Sequence, residues 1–321
     1  MSSGPEVLLS HTVDASHWAS TDELRESIER AVPDVDLRVA RTPPESAELL
    51  GSAEVVLAAF LPSSFLDDAP DLRWVQALSA GVDFFDLEAL EERGIVLTTA
   101  AGVHAEPVAE QVLGYLLTFE RRIHTGIRQQ SRNVWERYEG GEIRAKTLGI
   151  IGLGAIWERV AHYGKAFDMT VIGTKAHPET APDAVDEAFA PDGLFEVLKR
   201  ADYLVVACPL TEETRGLLGT RELSAMKSNT VLVNIARGEI VDEEALAYVL
   251  QQDVIRGAAL DVFSEEPFPD DSPLWNLSNV VMTPHMAGST PAKSDRIAAL
   301  FATNLAAYAN DEPDAFVNRV V

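Results

Sequence analysis

An arginine, a carboxylate and a histidine, each inside its own short motif, have the clearest chemical purpose in this sequence: Arg237 in Asn-Ile-Ala-Arg-Gly, Glu266 in Glu-Glu-Pro and His285 in Thr-Pro-His. The planar guanidinium of Arg237 suits it to grip a carboxylate and polarise a neighbouring carbonyl. A histidine within reach of that carbonyl can deliver a proton in one direction and remove it in the other. Glu266, bonded to the second imidazole nitrogen, favours the charged ring. These groups are the minimum set for reducing a 2-keto acid, and they lack only a source of hydride.

A place for a hydride carrier lies upstream. Residues 146–167 read as strand, glycine turn and amphipathic helix, and a second strand from Met169 to Thr174 follows at βαβ spacing. Gly152 would make the tight turn, and Gly154 would let backbone approach a pyrophosphate at the positive end of the helix. The third glycine of this fingerprint is replaced by Trp157. An indole pointing inward there should cost about 1–3 kcal/mol in displaced packing. Two readings stay open: a slightly shifted helix whose indole lies in the cleft or against another segment, or a damaged or remodelled dinucleotide site. About 20 residues beyond the glycines, where an acidic residue would bind the ribose diol of NAD, stands Thr174-Lys175-Ala176-His177. A lysine and a hydroxyl can take a 2′-phosphate, so NADP(H) is expected over NAD(H), with NAD(H) still possible.

Around these residues the chain is long enough for two domains, with 321 residues of which 46% are hydrophobic. It carries 51 acidic and 26 basic residues, a formal net charge of -25, which argues against nucleic acid or an anionic membrane as partner. The basic residues are 20 arginines and only 6 lysines. This balance reads as a protein of a salt-rich cytoplasm, where ionic strength screens an acidic surface; an ordinary acidic cytosolic enzyme is the plainer alternative. The single cysteine, Cys208, fits a reducing compartment. With no basic segment before Arg25 and no long apolar run, neither a signal peptide nor a membrane span is expected. No metal-ligand cluster is apparent, and the chemistry needs none.

Short apolar runs alternate with helical patterns through the first hundred residues. Strand-like segments are Val7 to Ser10, Val35 to Ala40, Glu54 to Ala59, Leu72 to Leu78 and Ile95 to Thr98; a helix from Thr21 to Ala31 opens with a Ser20-x-x-Glu23 capping box. Ala105 to Ile123 reads as one long helix, and the polar stretch Gln129 to Gly141 as an arm. Further strands are expected at Tyr203 to Ala207, Thr230 to Ile235, Gly257 to Leu260 and Val280 to Thr283, and a helix from Pro291 to Ala309. The fold class is therefore α/β, with two doubly wound parallel sheets.

Several motifs follow one another in a characteristic order: Ser79-Ala-Gly-Val-Asp83, Val108-Ala-Glu110, the glycine turn, Pro209 to Gly216, Val233 to Asp242, Ala259 to Phe263 and Thr283 to Gly288. Together they make the chain resemble the D-isomer-specific 2-hydroxyacid dehydrogenases over nearly its whole length. The resemblance implies a Rossmann dinucleotide domain, 101–287, inserted into a flavodoxin-like substrate domain, 1–100 and 288–321. It implies an active site in the cleft between them and reduction of 2-keto acids to D-2-hydroxy acids, with His285 as proton donor. The backbone of the turn after Leu78, at Ser79, Ala80 and Gly81, would hold the substrate carboxylate together with Arg237 and His285. Val108, Gly152, Gly154, Ala155, Ile156, Thr174, Lys175, Cys208, Pro209, Thr214, Ile235, Ala236 and His285 would line the cofactor, and Asp261 would accept from the nicotinamide carboxamide. Homodimerisation through the dinucleotide domain, with the arm reaching across, is implied by likeness alone. Cys208 is otherwise a small buried hydrophobe, and His104 either reaches substrate or caps a turn. The same architecture also occurs in C-terminal-binding corepressors, so a dinucleotide-sensing binding protein is the alternative. The preferred 2-keto acid is not legible.

Overall fold

The computed structural model describes residues 4–10, 20–82, 84–152 and 155–321. The chain divides into two compact units, Met1–His104 with Ser289–Val321, and Ala105–Gly288. The first break falls after residue 104 rather than 100, because Ala100 and Val103 are buried in the first unit's core. The second falls after residue 288 rather than 287.

In the first unit the chain runs through β1 (Glu6–Ser10), α1 (Thr21–Ala31), β2 (Asp36–Ala40), α2 (Pro43–Leu50), β3 (Val55–Ala58), β4 (Trp74–Ala77), α3 (Leu87–Glu92) and β5 (Val96–Thr98). The strands form a parallel sheet in the order β2-β1-β3-β4-β5, the flavodoxin-like arrangement. Helix α1 starts where the capping pattern requires, Ser20 Oγ accepting from the Glu23 amide at 3.1 Å. The C-terminal helix Lys293–Ala309 returns to this unit and is tied to α1 by Ser27 Oγ donating to Asp295 at 2.7 Å and by Arg30 to Asp295 at 2.6 Å. It begins two residues later than the predicted Pro291. Beneath it, Trp74 stacks on Phe301 at 5.4 Å and donates to Thr98 Oγ1, which donates to Gln76 Oε1 at 2.8 Å. Asn304 Nδ2 donates to that same oxygen at 3.0 Å. Each of these buried polar groups has a partner, so the network fixes strand order without an unpaired group to desolvate.

The second unit comprises α4 (Ala105–Glu120), α5 (Ile123–Ser131), β6 (Thr147–Ile151), α6 (Ala155–Ala166), β7 (Thr170–Thr174), β8 (Glu187–Phe189), α7 (Leu194–Arg200), β9 (Tyr203–Val206), α8 (Thr220–Ser224), β10 (Val231–Asn234), α9 (Glu243–Gln251), β11 (Gly257–Leu260) and β12 (Val280–Met282). Its seven parallel strands lie in the order β12-β11-β10-β9-β6-β7-β8. This is a Rossmann sheet, in which the strand order reverses direction at β6 and β9 and ligands bind beyond the carboxyl ends there. Strands β9, β10 and β11 are buried at every residue, as parallel strands covered on both faces must be.

Two expectations fail. The long helix predicted over Ala105 to Ile123 ends at Glu120, and a separate helix α5 follows, with Arg122 between them at φ +52°. The cause is Glu120: its nearly buried carboxylate accepts from the Tyr203 hydroxyl and from Arg256 at 2.9 Å, with Lys146 at 3.7 Å. Holding that carboxylate beneath the sheet fixes the end of α4. Because α5 runs on to Ser131, the arm starts after it rather than at Gln129. The short edge strand β8, with an exposed glutamate, gave no signal in the sequence.

Candidate active site

Three adjacent strands deliver the three chemical side chains. In parallel register Asn234 of β10 pairs with Leu260 of β11, and Leu260 with Met282 of β12. Arg237, Glu266 and His285 lie three, six and three residues beyond these strand ends, at the carboxyl edge of one sheet.

His285 Nδ1 lies 2.8 Å from Glu266 Oε2, and Glu266 Oε1 accepts from the Phe263 amide at 3.0 Å. The carboxylate is therefore held by its own loop and directs the imidazole. Nε2 makes no hydrogen bond to any of the described residues, and the side chain is half exposed. His285 has φ +49°, a left-handed conformation that few non-glycine residues adopt, costing on the order of 1 kcal/mol. It is held there by its amide, which donates to the Asp261 carbonyl at 2.7 Å and the Thr283 carbonyl at 3.1 Å.

Asp261 frames the same loop from below. Its carboxylate accepts from the amides of Met286 at 3.0 Å and Ala287 at 2.9 Å and from the Thr283 hydroxyl, to which the Tyr115 hydroxyl donates in turn. At 1% exposure Asp261 anchors this loop through amide and hydroxyl donors of its own unit. Thr283 and Tyr115 belong to the positioning apparatus and were not singled out in the sequence; nothing there links positions 168 residues apart.

Arg237 is exposed, donates to the Ala236 carbonyl at 2.7 Å, and forms no ion pair among the described residues. Its loop is shaped by the buried side chain of Asn234, which accepts from the Ala236 amide at 3.1 Å and donates to the Arg237 carbonyl at 3.0 Å. Gly238 brings this loop against the Glu266 loop: a Cβ there would stand 1.9 Å from the Phe263 carbonyl carbon and 2.1 Å from the Ser264 nitrogen. Only glycine permits that approach.

On the dinucleotide side, Gly152 has φ +85°, and an added Cβ would lie 2.4 Å from Cys208 Cα. Backbone alone can line this point, next to the start of α6, which suits a pyrophosphate. Gly154 lies outside the described residues, as does Asp83. Ala155 and Ile156 open α6. Trp157 is 3% exposed and lies in the core with Val108, Ala109 and Val112 of α4, so the indole packs against another segment. Val108 is correspondingly a core residue, 5% exposed. Close helix–sheet packing, the duty of the missing glycine, falls to Gly164 two turns later, where a Cβ would be 2.8 Å from Leu148 Cδ2 and 3.2 Å from Val171 Cγ2. Thr174 is buried at the end of β7, its carbonyl accepting from the Gly152 amide at 3.2 Å; Lys175 follows, half-buried.

Cys208, Ile235 and Ala236 are buried, and burial pushes the Cys208 thiol up to about 11, so it stays protonated at neutral pH. Pro209 is exposed, and its carbonyl accepts from Thr214 Oγ1 at 2.7 Å, which closes that loop. In the other unit, Leu78 is buried and Ser79 Oγ donates to the Gly81 carbonyl at 2.7 Å, closing the turn that also carries the exposed Ala80.

Residues 113–287 match the family model described as D-isomer specific 2-hydroxyacid dehydrogenase, NAD binding domain. A glyoxylate reductase of Thermococcus gammatolerans is 34% identical, over 99% of this chain and 93% of its own. A D-3-phosphoglycerate dehydrogenase of Methanocaldococcus jannaschii is 36% identical over 84% of this chain; the match spans 53% of that relative's length. The crystal structure of a D-isomer specific 2-hydroxyacid dehydrogenase from Xanthobacter autotrophicus, in complex with NADPH and MES, superimposes with a TM-score of 0.83 at 28% identity, covering 99% of this chain and 98% of that one. Among the described residues no helix is long and apolar enough to cross a membrane.

Proposed function

Because the chain belongs to the D-isomer specific 2-hydroxyacid dehydrogenase family, we propose that it reduces small 2-keto acids to D-2-hydroxy acids, with NADPH as the preferred donor. The observation that carries this reading is the 2.8 Å pairing of His285 Nδ1 with Glu266 Oε2 at the sheet edge that also carries Arg237.

The reduced nicotinamide, when bound, supplies hydride to the keto carbon. Gly152, Gly154 and the start of α6 would hold the pyrophosphate, and Lys175 the 2′-phosphate. Arg237 binds the substrate carboxylate and polarises the keto oxygen. His285 Nε2 gives its proton to the carbonyl oxygen as the carbon is reduced, while Glu266 holds Nδ1 and so fixes the ring's orientation and charge. In the reverse direction the same nitrogen takes the hydroxyl proton. Following NADPH absorbance with glyoxylate, hydroxypyruvate, pyruvate and branched 2-keto acids in molar KCl tests the reading. Turnover of at least one acid is expected, faster with NADPH than NADH. Tight NADPH binding without turnover of any acid would favour a dinucleotide-sensing binding protein instead.

We further propose a cytoplasmic homodimer adapted to high salt. The arm leaves Trp135 97% and Val134 45% exposed, and α5, which precedes it in the chain, leaves Ile123 46% and Ile127 60% exposed. A cavity of about 790 Å³ is lined by residues of both segments, including Arg128, Arg132 and Val134. Exposed apolar side chains of this size on α5 and the arm, in so acidic a chain, favour a second copy over solvent. Light scattering and thermal unfolding across KCl should give a dimer in molar salt that loses stability on dilution to about 0.05 M, where screening is weak. A monomer at every salt concentration, or a salt-independent transition, would count against the respective half of this proposal.

A further inference from the structure

Trp157 occupies the position at which the glycine turn loses its third glycine, in the first turn of α6. The Lys175 ammonium lies 6.0 Å from its ring centroid, at the outer edge of cation–π range, and donates to the Thr180 carbonyl at 3.0 Å. Among the described residues no carboxylate forms an ion pair with Lys175, in a chain with 51 acidic residues to draw on. Lys165, at the far end of α6, shows the ordinary alternative, with Asp186 2.8 Å away. The charge of Lys175 is thus held by an aromatic face and a carbonyl dipole, neither of which cancels it.

The location gives that charge a use. Strands β6 and β7 pair in parallel with Ile151 opposite Thr174, so Lys175 follows the strand end beside Gly152. A lysine side chain is rich in rotamers that binding must freeze. An indole and a carbonyl that restrict it beforehand reduce what must be lost when an anion binds. A glycine at 157 would remove one of those two restraints.

We infer that Trp157 is a positioning residue for Lys175, which makes the departure from the glycine fingerprint part of the apparatus that recognises a phosphate on the adenosine ribose. This inference rests on the NADP(H) reading and deepens it: selectivity resides in a Trp157–Lys175 pair drawn from the two ends of one βαβ turn, and not in the lysine alone.

The test is calorimetric binding of adenosine 2′,5′-bisphosphate and of 5′-AMP to the full chain at constant KCl, a readout independent of turnover. Trp157→Leu should weaken the bisphosphate about 2- to 5-fold, the reach of an exposed to partly desolvated cation–π contact, and leave 5′-AMP unchanged. Trp157→Phe should recover part of the loss, and it serves as the reporting variant if the leucine protein does not fold. In the Lys175→Met background Trp157→Phe should have no further effect on the preference, as a double-mutant cycle requires of a coupled pair. Equal weakening of both ligands, or effects of the two substitutions that simply add, would overturn the inference while leaving the NADP(H) reading intact. A wild-type protein that does not distinguish bisphosphate from 5′-AMP would overturn both.

Discussion

The two edges of the seven-stranded sheet each bury a carboxylate, and they satisfy it in opposite ways. At the amino edge Glu120 collects a tyrosine hydroxyl, Arg256 and Lys146, tying together the starts of β6, β9 and β11. At the carboxyl edge Asp261 takes only neutral donors, two amides and a hydroxyl, all from the loop that carries His285. The first arrangement cancels charge and holds strands; the second shapes a loop and leaves its cations to other work. Arg237 and His285 are exposed, the one with no ion pair among the described residues and the other paired only with Glu266. Charge that is internally compensated binds a substrate anion poorly, and Arg237, without an ion pair among the described residues, is what recommends the carboxyl edge for the proposed chemistry.

Substitution at the carboxyl edge should therefore cost rate before stability. His285→Asn removes the proposed proton donor, and kcat should fall by about 10²- to 10⁴-fold, the usual worth of a positioned acid. NADPH affinity and the unfolding midpoint should change little. Steady-state kinetics alongside calorimetry check this, and a variant within about threefold of wild-type kcat would remove His285 from its proposed role.

The amino edge should behave the other way. Burial pushes the Glu120 carboxyl up, but the hydrogen bonds from Tyr203 and Arg256 and the charges of Arg256 and Lys146 outweigh it, and the net shift is downward. A group depressed in the folded state contributes its stabilisation fully above the unfolded value, roughly 4.3, and loses it as pH falls through the lower folded value. Glu120→Gln should cost about 2–3 kcal/mol at neutral pH by leaving the partly buried Arg256 without its counter-charge. It should also flatten the decline in stability at acid pH, because neither state then titrates there. Urea midpoints from pH 3 to 7 would show a parallel, undiminished acid decline if this account is wrong.

How far the sequence discloses these edges follows from the range of the interactions that build them. Strands β9, β10 and β11 are buried apolar runs, and Arg237, Glu266 and His285 sit in short motifs, so local pattern suffices for both. Gly152 and the α1 cap are equally local. The break between α4 and α5 is not, because Glu120 finds Tyr203 and Arg256 at separations of 83 and 136 residues. The anchoring of Asp261 to the loop 22 to 26 residues on is likewise invisible in local pattern. Trp157 could be placed only once α4, whose Val108 and Val112 share its core, was known to lie against it. The duty of the missing glycine passes to Gly164, which nothing in the pattern of α6 distinguishes from a helix-weakening glycine.

Thr283 measures how much the neutral anchoring of the carboxyl edge is worth. Its hydroxyl donates to Asp261 and accepts from Tyr115, so Thr283→Val keeps the shape and leaves both partners short of a bond. The cost should be about 1–2 kcal/mol of stability, less than for Glu120→Gln because no charge loses its counter-charge. The His285 loop, however, loses one of the donors that hold Asp261 beneath it, and kcat should fall by roughly tenfold with NADPH affinity unchanged, through misplacement of the ring rather than loss of its proton. Tyr115→Phe, which removes only the outer hydroxyl, should lower stability by about 1 kcal/mol or less and leave kcat near wild type. If both variants slowed turnover equally, the tyrosine and not the Asp261 anchor would be setting the position of His285, and the contrast between the two edges would have to be redrawn around Tyr115.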